Sequence, residues 1–587
     1  MNTTIYNKVR KMAKGFLPFY LFTLLPLMTA CSDFLDKEPS NELTGEQTFS
    51  DWVTMEQFHF DTYNFLLNGE CRINNSWLDA ATDLAETSMS NSGTRTSFNI
   101  GNYYAGGGAA ELTSPWESRY RAIRKCNMLL ERIESVPQPT DIDQATYVLR
   151  KGYYKGEAMT LRAWFYWELF LRYGTVPIVK EVLNPDGDLL SNYTTRPSLQ
   201  EFKNFLIGDL DAAYPLVMDK GTSYESGNEG RVNQPVVLAL KSRILLYMAS
   251  PRYAAESGVT WQQAADAAQE FITTFNGAYM LAPDYTNAIL QNAHNEGNPE
   301  VIFYRNDVSQ GWGSYGYYND VPVGEGGNGG MCPSQNLIDM YDMATGLSPF
   351  TSYDATGAPV YTSSTACPAI TTGSYYDDSR PTAGRDPRLA ATVLSHGVAW
   401  NGRTLNIIRG GDDNPIGNAN ATPTGYYLRK YMPEAILVNN HTGNSYRNWI
   451  IIRYAEILLN LAEALNEADY TANRTTVIGL LDQIRHRGGI TGNMSSRTDL
   501  NSQEKMRNFI HKERTIELAF EEHRWWDVRR WNVAREALSR DIIGMDIAHN
   551  GRYSRKVAQQ RVFEDRMYLY PIPEGEYWKT GFQNPNW

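Results

Sequence analysis

Apolar residues recur at three- and four-residue steps in two stretches of this chain and lose that rhythm between them. Trp116, Tyr120, Ile123, Asn127, Leu130 and Ile133 mark one helix face. Tyr154, Ala158, Leu161, Phe165 and Leu169 mark another over 143–173, closing at Tyr173-Gly174 with Pro177 beyond, a Gly-then-Pro stop. The same periodicity predicts helices over 199–216, 234–249 and 261–275, then 452–468, 474–487 and 502–535. Ala158, Ala163, Ala462 and Ala464 sit inside these stripes beside Tyr and Trp. Bulky-against-small alternation on successive helices is how tetratricopeptide-type helix pairs pack, although no clean 34-residue self-repeat is present.

Between the two blocks, over 276–450, helical rhythm lapses apart from 334–343, and Gly, Asn, Ser, Pro and Tyr become frequent. Val301-Ile302-Phe303-Tyr304 and Ile407-Ile408 read as short strands. So long a segment without regular elements is uncommon unless it is functional. The expected fold is therefore mainly α: a tetratricopeptide-like helix-pair scaffold carrying a loop-rich α+β cap. Residues 51–275 and 451–587 form the scaffold, and 276–450 faces the ligand.

The N-terminus has a pattern of its own. Lys8, Arg10, Lys11 and Lys14 precede an almost wholly apolar run, Phe16–Ala30, and Leu27-Met28-Thr29-Ala30 leads into Cys31. This is a secretory signal over residues 1–30. At about 15 residues the run is shorter than the roughly 20 that span a bilayer. A cysteine directly after the cut reads as a lipidation site, so Cys31 is expected to carry a lipid anchor, with 31–50 as an extended tether.

Composition narrows the function. The net charge is −12, and the body beyond residue 30 is more acidic still, with no basic run, which argues against nucleic-acid binding by counterion release. Four cysteines remain, Cys71, Cys126, Cys332 and Cys367, none in a C-x-x-C, and their disulfide state is left open. No H-E-x-x-H, G-x-S-x-G or P-loop occurs. Without a P-loop lysine, Gly324–Gly330 reads as a mobile loop. No catalytic residue, cofactor or metal ligand is assigned. The charged stretch holding Glu513, Arg514, Glu517, Glu521, Arg524, Asp527 and Arg530 could be an acid/base cluster, but an ion-pair lattice locking one long helix is the better reading.

Aromatic content supplies the candidate chemistry, with 37 Tyr, 21 Phe and 14 Trp. Trp312, Tyr315, Tyr317 and Tyr318 lie among glycines without helical or strand spacing. Tyr103 and Tyr104 form a second such run, preceded by Asp83 and Arg95. Rings held on loops stack on the C–H faces of sugars, while Asp, Asn and Arg beside them bond hydroxyls. These eight residues are the candidate ligand site.

Taken in order, several motifs resemble the SusD/RagB outer-membrane lipoproteins of Bacteroidetes. They are Cys-Ser-Asp-Phe-Leu-Asp from Cys31; Trp116…Tyr120…Ile123…Asn127; Gly156-Glu157-Ala158…Leu161-Arg162-Ala163…Tyr166; and Gly230-Arg231-Val232-Asn233. Arg385-Asp386-Pro387-Arg388-Leu389, Arg453-Tyr454-Ala455-Glu456 and Glu513-Arg514…Glu517…Glu521…Arg524…Asp527…Arg530-Trp531 follow, and Pro571-Ile572-Pro573 comes near the end. The resemblance implies four tetratricopeptide-like helix pairs. It also implies a surface lipoprotein that binds an oligosaccharide and delivers it to a SusC-like TonB-dependent transporter, without bond chemistry. A peptide-carrying role and a surface glycoside hydrolase are the alternatives. Residues 309–330 and 345–384 align with nothing in the family pattern, and Pro585-Asn586-Trp587 replaces its usual Pro-Gly-Tyr ending.

Overall fold

Six helices of the first half are set by local chemistry before any packing. Asp51 opens α1 (Trp52–Asp61), its carboxylate accepting the Thr54 N–H at 3.0 Å. α2 (Ser114–Arg132) begins with proline in its first turn. α3 (Gln144–Tyr173) is capped by Asp143 and closed by Gly174 at φ 73°, a conformation that only glycine adopts without strain. Ser198 and Glu201 form a reciprocal capping box at α4 (Leu199–Ala213), and Thr260 and Gln263 form another at α6 (Trp261–Thr274). Between these two helices, Asn233 caps α5 (Gln234–Ala249). The C-terminal block adds α7 (Tyr454–Arg487), α8 (Gln503–Glu517) and α9 (His523–Arg530).

In the computed structural model, the described residues are 45–184, 187, 194–221, 227–286, 298–305, 310–311, 315–432, 444–445 and 448–587. The signal, Cys31, most of the tether and Trp312 lie outside them. α2 packs on α3, α3 on α4, α4 on α5, α5 on α6, α6 on α7 and α7 on α8, so the mainly α, helix-pair scaffold is as expected. Small-against-large packing works at Gly156 of α3, where a Cβ would lie 2.6 Å from Val217 and 3.0 Å from the Ala213 carbonyl.

Four local expectations need correction. Residues 45–49 of the tether form a helical turn that buries Phe49 against Phe58, at 5.3 Å between ring centroids. Ile407-Ile408 is no strand: Ile407 is buried with Trp400, Leu405 and Tyr427 in a small core, and its N–H goes to His396 Nδ1. The expected helix 334–343 is the shorter Gln335–Met340. The stretch 502–535 is not one helix. Phe520, Glu522 and Asn532 take left-handed φ of 62–63°, breaking it into α8, α9 and a short third piece. α7, by contrast, divides where periodicity places the break. Asp469 is extended (φ −161°, ψ 95°) and its carboxylate accepts the Ala472 N–H, capping the second half.

Short antiparallel pairs join distant parts of the chain. β1 (Ala85–Thr87) pairs with β3 (Met331–Pro333), and β2 (Val301–Tyr304) pairs with β4 (Ile450–Arg453). β4 takes the first two residues of the expected helix 452–468. β5 (Ile542–Ile547) and β6 (Tyr553–Gln559) form a hairpin.

The acid-rich C-terminal stretch is a buried ion-pair lattice. Arg453 donates to Glu300, Glu517 and Glu521 at 2.6–2.8 Å, and Arg388 donates to Asp386, Glu513 and Glu517. Arg530 holds Glu463 and Asp527. Burial alone would raise the Glu463 carboxyl, but Arg530 outweighs it and holds it at about 2. Among the described residues, no group of three His, Cys, Asp or Glu could hold a metal ion, and no disulfide joins Cys71, Cys126, Cys332 and Cys367.

Candidate functional site

The loop after β2 is built from the inside outward. Tyr315–Asp320 is a short helix, not the irregular run its spacing predicts. Asp320 at its end is fully buried and accepts from Trp77 Nε1 at 3.1 Å and from the Met331 N–H at 3.3 Å. A carboxylate pinned in the core anchors the helix, while Tyr318, two residues earlier, keeps 40% of its surface in solvent.

The glycine run holds this helix from the other side, close-packed at Gly324, Gly327, Gly329 and Gly330 and open at Gly326. A Cβ on Gly327 would lie 2.3 Å from the Val321 carbonyl, one on Gly329 2.3 Å from Asn420 O, and one on Gly330 2.3 Å from Asn319 O. Gly329 and Gly330 also have φ of 77° and 44°. Bonds then run outward in a row. The Tyr318 carbonyl accepts the Asn328 N–H at 3.0 Å, Asn328 Nδ2 donates to Asn319 Oδ1 at 2.9 Å, and Asn420 Nδ2 donates to Asn328 Oδ1 at 3.2 Å. Ser88, just past β1, donates its hydroxyl to the Asn328 carbonyl at 2.7 Å. Three chain segments far apart in sequence thus meet at one half-open face carrying a phenol ring and carboxamides.

Arg95 belongs to the segment that follows Ser88. It is partly exposed, with its guanidinium 3.7 Å from the buried Glu86 carboxylate of β1. Glu86 is shared with Arg561 at 3.0 Å, so Arg95 is only loosely engaged and has donors for a ligand.

The other sequence-predicted residues are placed differently. Asp83 is 1% exposed and forms a two-point pair with Arg524 at 2.7 and 2.9 Å, so it belongs to the lattice. Tyr103 is 3% exposed and packed between Phe98 and Trp587, both 5.3 Å away. Asp83 is held from α9 by Arg524, and Tyr103 is covered by Trp587. Tyr104, the next residue, points the other way and is 61% exposed. It stands on a tight turn with Gly107, beside Glu574, whose N–H donates to the Ala105 carbonyl. Tyr104 is therefore on the C-terminal helix side. The backbones of Tyr315 and Tyr317 lie in the short helix with Tyr318.

Two features escaped the sequence reading. Trp578, 75% exposed, lies 5.3 Å from the Tyr577 ring on a helix in the last 14 residues, where helical spacing suggested nothing but a terminus. A cleft of about 550 Å³ runs along α2, floored by Trp116, Tyr120 and Pro177 and edged by Arg121, Glu576 and Lys579. Its signal is in the chain: Trp116 and Tyr120 start the helix stripe of α2.

Two family models match the chain: one described as "Starch-binding associating with outer membrane" over residues 33–246, and one described as "SusD family" over 299–587. SusD-like protein P2 of Formosa agariphila is 32% identical over 165 residues, a match spanning 27% of this chain and 29% of that relative. A SusD-like protein from Bacteroides fragilis superposes with a TM-score of 0.73 at 26% identity, covering 94% of this chain and 100% of the other. A laminarin-binding SusD-like protein shares the fold at a TM-score of 0.56 and 21% identity, covering 92% of this chain and 100% of its own. With the helix-pair scaffold and both family matches in agreement, this chain belongs to the SusD/RagB family.

Proposed function

We propose that this protein is a surface-exposed, lipid-anchored lipoprotein of the outer membrane that binds oligosaccharides. It passes them to a SusC-like TonB-dependent transporter without cleaving them. The single observation that carries the glycan reading is the Tyr318 face, where partly exposed Tyr318 accepts the Asn328 N–H at its carbonyl and Asn328 and Asn420 join their carboxamides, with Arg95 on the segment that follows Ser88. Rings supply stacking area for pyranose C–H faces, and amides supply the paired donors and acceptors that hydroxyls need. The starch-binding family description and the laminarin-binding neighbour support the same class of ligand.

The fate of the C-terminal carboxylates supports capture without cleavage. A glycosidase needs one carboxyl free to act as an acid and another as a base or nucleophile. Glu513, Glu517 and Glu521 are instead each held by at least one buried cation. Lipidation at Cys31 and handover to a transporter rest on the N-terminal pattern and on the family. Trp312, Tyr315, Tyr317, Tyr318, Tyr104 and Arg95 remain the proposed ligand residues.

The test is a retardation and array screen of the chain from residue 31, with plant, host and microbial polysaccharides and a peptide pool. Retention by a polysaccharide with no degradation products, weakened in Trp312→Ala, is the expected result. Peptide retention with silence on every glycan overturns the reading.

A further inference from the structure

A separate pocket of about 220 Å³ opens between α8 and the loop 348–353. It shares no lining residue with the Tyr318 face. Aromatic rings make its walls: Phe350 and Phe509 are core residues whose edges reach it, and Tyr353 is half-buried at its side. The volume lies below the roughly 300 Å³ at which drug-sized sites begin, so it suits one sugar ring rather than an oligomer.

Its polar lining is unevenly satisfied. Asn508 Oδ1 is shielded from solvent and has no hydrogen-bond partner among the described residues, and the Tyr353 hydroxyl beside it lies near Ser348 and the Phe350 backbone. A buried polar atom left this way is costly unless something pairs with it. Cations outnumber anions around them. Lys512 is buried and donates to Asp342 at 2.5 Å and to Ser348 at 3.0 Å. Arg497 pairs with Asp499 at 2.7 Å, and Lys505 stands exposed at the rim. Three cations face Asp499 in the lining and Asp342 behind it, leaving an excess positive charge in a chain whose net charge is −12.

We infer that this pocket binds a single acidic sugar ring, a hexuronate, either free or at a chain end. The ring lays its C–H face against the apolar edges of Phe350, Tyr353 and Phe509. Its hydroxyls pair with Asn508 Oδ1 and the Tyr353 hydroxyl, and its carboxylate faces Lys505 and the Arg497 side of the pocket. The site works independently of oligosaccharide capture at the Tyr318 face.

Titration of the chain from residue 31 with galacturonate, glucuronate, galactose and a galacturonate trimer, followed by saturation-transfer NMR and calorimetry, tests this. Binding of a uronate is expected. It should weaken at least tenfold in Asn508→Ala and about threefold in Lys505→Ala, and stay unchanged in Tyr318→Ala. Should Asn508→Ala fold poorly, Lys505→Ala at the exposed rim and Tyr353→Phe carry the test. Trimer binding with the same variant pattern assigns a chain end, and monomer binding alone assigns the free sugar. Equal binding of galactose, loss of uronate binding in Tyr318→Ala, or no uronate binding at all overturns the inference without touching the proposal for the Tyr318 face.

Discussion

Tyr318 keeps its ring in solvent while Asp320, two residues on, holds the loop from within, and that division of labour sets what substitutions do. Tyr318→Ala should weaken glycan retention at least fivefold and move the melting temperature by less than about 2 °C, since an exposed side chain contributes little to the core. Affinity gels and thermal melts on the same preparation check both halves. Tyr103 behaves oppositely. Truncating its buried ring, as in Tyr103→Ala, should cost about 3–5 kcal/mol in chemical denaturation with no specific effect on ligand. Its hydroxyl is buried and unpartnered, so Tyr103→Phe should leave stability unchanged or raise it. A drop of more than about 1 kcal/mol would show that the hydroxyl is bonded.

At the scale of elements, the Tyr318 face depends on how closely the glycine turn approaches its neighbours. At Gly330, at φ 44°, an added methyl meets the Asn319 carbonyl at 2.3 Å and Asp320 Oδ1 at 2.4 Å. Gly330→Ala should therefore displace the short helix, lowering the melting temperature and glycan affinity together, whereas Gly326→Ala meets open space and differs only by its left-handed φ. Denaturation and binding measured on the two variants separate crowding from conformational strain. The break between α8 and α9 works by the same local means. Left-handed Phe520 and Glu522 turn the chain, so that Glu517 and Glu521 reach Arg453 while Glu522 faces Arg72.

Across the whole molecule, the lattice ties the two sequence blocks together. Arg453→Met leaves Glu300, Glu517 and Glu521 buried with fewer cations, and a loss of about 3–5 kcal/mol is expected, read from chemical denaturation. Acid has a related effect. Glu157, beside Arg231 and His59, and Glu463, beside Arg530, are both held at about 2 against an ordinary value near 4.5. Their stabilisation is complete above about pH 4.5 and is lost as pH falls towards 2. Asp79 has the opposite sign: burial pushes it up to about 7, so protonating it adds stability as pH falls from 7 towards 4. Buried His511, pushed down to about 4, and buried His523, also pushed down, lose stability below about pH 6.5 and oppose the Asp79 gain. The denaturation midpoint should thus change little from pH 7 to 6, drift down towards 5 and fall steeply below 4.5. A steep fall already at pH 6 would contradict this balance.

Much of this architecture was legible in the chain itself. Helix stripes at Trp116–Ile133 and Tyr154–Leu169, the stop at Gly174 and the break near Asp469 follow from spacing and capping chemistry. These act between residues a few positions apart. The structural role of the C-terminal charges was legible too, because such density of paired signs suits a lattice. What spacing could not decide was which loop ring faces outward. Tyr103 and Tyr104 are neighbours with the same side chain, yet one is core and the other surface, because burial depends on contacts with Trp587 and Glu574 more than 450 positions away. The same holds for Asp83, whose partner Arg524 is brought to it only by the closed fold, and for the Tyr318 face itself. Sequence by itself determined the helices and their order, since those rest on local hydrogen bonds and periodic burial. Only tertiary structure decided the site, since three distant segments must meet before any ring has a ligand to face.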